Sequence, residues 1–60
     1  MKNNRKIEVG QVRAEDGNLD KLYVILKMGR YSSLCKVKRL KTNQYCNWYK
    51  HEIARDIVIM

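Results

Sequence analysis

Sixty residues carry thirteen Lys plus Arg against six Asp plus Glu, a formal charge of +7, and the pI is near 9.7. A chain of that length makes one domain and excludes a multidomain enzyme or a long coiled coil, because so small a fold buries only about 60% of its unfolded surface. The apolar fraction of 45% excludes a disordered basic tail.

In chain order, residues 1–6 read as a flexible basic N-terminus and 7–60 as a single domain. Ile7 to Arg13 alternates apolar and polar side chains, then slips phase after Val9. Gly10 stands at the slip, where a bulge absorbs the extra residue. Asp16-Gly17-Asn18 is a turn signal, and Lys21 to Met28, apolar on both faces, reads as a central strand. Leu34–Leu40 and Gln44–Lys50 form a hairpin; a turn on Thr42-Asn43 would set Val37 opposite Trp48. His51 to Asp56 reads as one helical turn, and β-branched Ile57-Val58-Ile59 as a closing strand. A competing reading turns everything after Asn47 into a helix, with Tyr49, Ile53 and Ile57 at four-residue spacing. The expected core is Ile7, Val9, Leu22, Val24, Leu26, Val37, Trp48, Ile53, Ile57 and Ile59.

Five short strands with a helical turn before the last resemble the small SH3-like barrels, in which a 3₁₀ turn joins the last two strands. The resemblance implies an all-β fold: a five-stranded, partly open barrel, with His51-Glu52-Ile53-Ala54-Arg55 as that turn. Two stretches, Leu19 to Lys27 and Tyr49-Lys50-His51-Glu52-Ile53, are similar to Hfq, the bacterial Sm-like RNA chaperones. That similarity implies RNA contact by Tyr49, Lys50 and His51, although twenty-one residues, Met28 to Trp48, separate the two stretches here.

Charge is the most informative feature. Between Asp20 and Glu52 lie eight cations and no acid, and all five aromatics fall in the same interval. Cations neutralise phosphates with release of counterions, and aromatic faces stack on unpaired bases. The candidate contacts are Lys36, Lys38, Arg39 and Lys41 in the hairpin, Arg30 and Tyr31 in the Gly/Ser loop, and Tyr49, Lys50 and His51. Alternation puts Lys36 and Lys38 on one strand face and Arg39 on the other.

Other chemistry is poorly represented. Cys35, Cys46 and His51 supply at most three soft ligands without a close Cys-x₂₋₄-Cys knuckle, so neither metal nor cofactor is expected and both thiols read as free. His51 has no obvious triad partners, and the three glycines are too far apart to cradle a phosphate, so no enzyme is expected. No apolar run approaches the roughly 20 residues that span a bilayer, nor does one follow the basic start, so a cytoplasmic protein with reduced cysteines is expected. The expected function is a non-catalytic regulator that binds RNA or DNA through phosphates. The alternative is a phage- or plasmid-type inhibitor or adaptor that docks its basic face on an acidic host protein.

Overall fold

The structure is a computed structural model that describes residues 6–60; of the expected flexible start, residues 1–5 lie outside the described residues. The elements are β1 (Val12–Ala14), a turn over Glu15–Gly17, β2 (Leu22–Met28), β3 (Leu34–Arg39), β4 (Tyr45–Tyr49), α1 (Lys50–Ile53) and β5 (Ile57–Val58). They form one antiparallel sheet in the order β4-β3-β2-β1-β5. The chain is therefore all-β, with a single helical turn before the last strand, and the segment after Asn47 is not a continuous helix. Instead of curling to closure the sheet stays open, with β4 and β5 as its edges.

Local chemistry explains the boundaries. Strand β1 begins only at Val12, because Gln11 N–H donates to Glu8 O and folds the preceding residues into a turn. Gly10, at φ +89°, donates to Ile25 O while Ile25 N–H donates to Gln11 O. Two residues thus oppose one, the bulge that the phase slip implies. Asp16 and Gly17 both take positive φ, 53° and 71°, as the centre of a type I′ turn requires. Across β3 and β4 the hairpin register differs by two residues from the expected one: Cys35, not Val37, lies opposite Trp48, and Val37 lies opposite Cys46. The cause is a longer loop, closed by Asn43 N–H donating to Arg39 O with Asn43 left-handed at φ 59°. A two-residue shift preserves faces, so Trp48 still points to the core side.

The core differs from the expected one in a systematic way. Tyr23, Ile25, Cys35, Val37 and Ile53 are fully buried, with Ile7, Met28, Cys46 and Trp48 packed around them. Val9, Leu26, Ile57 and Ile59 are exposed, and Leu22 and Val24 only half-buried. The molecule measures 29 × 28 × 16 Å, and the thin axis has room for the sheet and one covering layer. Only one face of β2 can be covered, and Tyr23 wins it because its ring meets Trp48 edge-on at 4.7 Å and 80°.

That covered face also holds a buried polar cluster. Arg13 is fully buried; its Nε donates to Gln11 Oε1 at 2.8 Å, and its Nη1 to the carbonyls of Ile53 and Asp56 at 3.0 and 2.9 Å. Tyr23 Oη donates to Asp56 Oδ2 at 2.6 Å, and Asp16 N–H to Asp56 Oδ1 at 3.1 Å. Burial, then the hydrogen bond to the Asp56 carboxylate, pushes the Tyr23 phenol far above its usual value. In the unfolded chain the phenol loses its proton near pH 10 while the folded one keeps it, so its contribution to stability is complete below pH 10 and declines above it. Tyr23→Phe is expected to cost about 1.5–3 kcal/mol at neutral pH, because a buried carboxylate loses a donor. Denaturant titrations at several pH values should show a shallower alkaline decline for the variant than for the parent.

Candidate nucleic-acid interface

The uncovered face of β2, β3 and β4 is where cations gather. Strand β3 alternates Cys35, Val37 and Arg39 toward the core side with Lys36 and Lys38 toward solvent. A third lysine joins them through an irregularity in β2. The register between β2 and β3 shifts between Ile25 and Lys27, so Ile25 pairs with Val37 while Lys27 pairs with Lys36 and Met28 with Cys35. Leu26 is the extra residue. Were Leu26 to take a regular place in the strand, alternation would send Lys27 to the side of Tyr23 and Ile25; because the bulge absorbs Leu26, Lys27 shares the face of Lys36 and Lys38.

Strand β4 adds a second row to the same face. Tyr45 stands opposite Lys38, Asn47 opposite Lys36 and Tyr49 opposite Leu34. The ammonium groups of Lys36 and Lys38 lie 5.5 and 5.9 Å from the Tyr45 ring centroid. Tyr49 stacks on His51, with centroids 5.5 Å apart and planes at 20°. The two tyrosines are 59% and 49% exposed. No Asp or Glu occurs within β2, β3 or β4, and among the described residues no carboxylate pairs with Lys27, Lys36 or Lys38. Lys27 and Lys36 are like charges set directly opposite each other, an arrangement that costs stability in a sheet and is relieved by an anion.

The nine residues singled out from the sequence divide into five groups, of which Arg39, on the covered side, stands alone. Lys36, Lys38 and Tyr49 share the open face, and His51 extends the Tyr49 ring. Lys41 sits exposed on the β3–β4 turn. Arg30 and the 96% exposed Tyr31 occupy the β2–β3 loop at the other end of the hairpin. Lys50 holds that loop in place: its N–H donates to Ser33 O and its Nζ to Gly29 O at 2.9 Å.

Two of the nine lie away from the open face. Lys50 is half-buried and its ammonium caps a backbone carbonyl, so it holds the loop rather than facing a ligand. Arg39 points to the covered side, where it bonds Glu15 at 3.1 Å and lies 5.0 Å from the Trp48 ring. It lines a cleft of about 270 Å³ together with Arg55 and the acids Glu15, Asp16, Glu52 and Asp56, a lining of four acids to two arginines that disfavours phosphate. Sequence reasoning passed over Lys27 and Tyr45. Tyr45 was findable, since alternation puts it on the face of Tyr49; Lys27 was not, since its face depends on the bulge.

Other chemistries gain no geometry. Among the described residues no three His, Cys, Asp or Glu side chains converge as metal ligands. Cys35 is buried and Cys46 half-buried, both free, and burial pushes the Cys35 thiol up, away from the reactive thiolate. Among the described residues no helix is long and apolar enough to cross a membrane. Compared with known protein families, curated proteins and solved structures, the chain matches none at a significant level.

Proposed function

We propose that the protein is a non-catalytic regulator that binds nucleic acid, gripping the phosphate backbone with the open face of β2 and β3. The observation that carries this reading is the convergence of Lys27, Lys36 and Lys38 on one acid-free sheet face, at the expense of a like-charge pair. Three ammonium groups gathered on one face suit a row of phosphates better than they serve folding, and such contacts hold a backbone without reading sequence. Lys41 at the turn and Arg30 at the loop extend the cationic surface at either end. The resemblance of Tyr49-Lys50-His51 to the Sm-like RNA chaperones agrees with this reading for Tyr49 and His51, but not for Lys50.

Fluorescence anisotropy with labelled RNA and DNA across a salt series tests it. With roughly three to four phosphates contacted, log affinity is expected to fall against log salt with a slope of about −2 to −3.5, the shallower end for single strands. No binding to any nucleic acid near about 50 mM salt would overturn the reading and direct the same lysines to an acidic protein partner.

A further inference from the structure

The open face has two parallel rows of different chemistry. On β3, Lys38 and Lys36 form a cationic row, joined by Lys27 from β2. On β4, Tyr45, Asn47 and Tyr49 form an aromatic and amide row in register beside it. Beyond β4 the sheet ends, so nothing in the sheet flanks the rings on their outer side. Tyr45 and Tyr49 are four residues apart on one strand, about 13 Å at the usual rise. Each keeps roughly half of its surface in water although Trp48, their neighbour on β4, is drawn into the core.

We infer that β4 is a base-stacking track and that the ligand is a single strand of RNA or DNA, its phosphates on the β3 lysines and its unpaired bases on Tyr45 and Tyr49. This rests on the nucleic-acid reading and narrows it. A duplex buries the faces of its bases against one another and offers the protein phosphates alone, so it engages the lysine row and leaves the tyrosines idle. A single strand engages both rows, because every base has a π face to present to a ring. The lysines that flank Tyr45 bring phosphate and ring contacts within one nucleotide of each other. His51, stacked behind Tyr49, widens the second platform.

The test compares oligouridylate, oligothymidylate and a duplex of equal length, titrated by anisotropy against the parent protein and the variants Tyr45→Leu, Tyr49→Leu and Tyr45→Phe. Each leucine variant is expected to weaken single-strand binding roughly five-fold or more and to leave duplex binding within about two-fold, whereas phenylalanine keeps the parent affinity. Circular dichroism of each variant separates a loss of stacking from a loss of folding, and the phenylalanine variant keeps the proposal testable should leucine unfold the edge. Whichever of the two oligonucleotides binds more tightly identifies RNA or DNA as the natural source of the strand. Equal weakening of single-strand and duplex binding, or no effect of either leucine, would overturn the stacking track and leave the phosphate grip intact. Absence of binding to all three ligands by the parent protein would remove the grip itself.

Discussion

Arg13→Ala is expected to abolish folding. The guanidinium is fully buried and ties separate parts of the chain together, with the Gln11 side chain, the Ile53 carbonyl and the Asp56 carbonyl among its acceptors. Ile53 ends α1; its carbonyl accepts from Asp56 N–H at 2.9 Å and from Arg13 as a second donor, so a side chain from β1 pins the helix end. Its removal takes a charged donor from each of the two carbonyls and from Gln11 Oε1 and leaves a void where the side chain packed. Loss of such buried charge-assisted hydrogen bonds together costs about 3–5 kcal/mol. A chain of this length has roughly 3–9 kcal/mol in total, so the loss takes most of what there is. Chemical denaturation followed by circular dichroism measures it, and Arg30→Ala, an exposed loop change, should leave the midpoint unmoved.

The second large effect concerns binding. Reversing two charges together, Lys36→Glu with Lys38→Glu, turns the central cationic row anionic while touching no buried side chain. Two attractions to phosphate become two repulsions, and binding at about 0.1 M salt is expected to fall by two orders of magnitude or more for every sequence alike. The salt slope should flatten by roughly 1.5–2, since two phosphates are no longer neutralised. Arg39→Glu is the informative contrast. Arg39 belongs to the opposite face and to Glu15, so its reversal should lower stability while binding by the folded fraction stays near that of the parent. Melting curves and titrations on the same samples separate the two effects.

The legibility of this chain follows from which physical signals are local. Turn chemistry at Asp16-Gly17, alternation along β3 and the β-branched run at Ile57 are local, and the elements they imply are present. Burial in β2 was not readable, because both faces are apolar and the choice between them depends on which face the helical turn and Trp48 cover. The hairpin register required the loop length, and no Asn-Gly or Asp-Gly fixes that in the sequence. In the candidate site, Lys36 and Lys38 emerged from alternation alone. Alternation also set Arg39 on the other face, though not its partner Glu15, whereas Lys50 could not be sorted by charge, since only its bond to the Gly29 carbonyl reveals that it holds the loop. Arg13 lay unnoticed among thirteen cations because nothing in a sequence distinguishes a buried guanidinium from a solvated one.

The extra residue in β2 has a consequence for how this chain can drift over generations. Leu26 has no counterpart on β3, and the bulge that absorbs it leaves the next two side chains pointing as they would if it were not there. Exchange of Leu26 for another β-tolerant residue keeps the count and should pass almost unnoticed. Loss of that one codon would join Ile25 directly to Lys27, and ordinary alternation would still send Lys27 outward and Met28 to the core, with the pairs Ile25–Val37, Lys27–Lys36 and Met28–Cys35 all kept. The strand is therefore permissive both to exchange and to loss of a residue at one and the same position. Relatives that preserve the lysine face are free to differ there in residue type and by one residue in length.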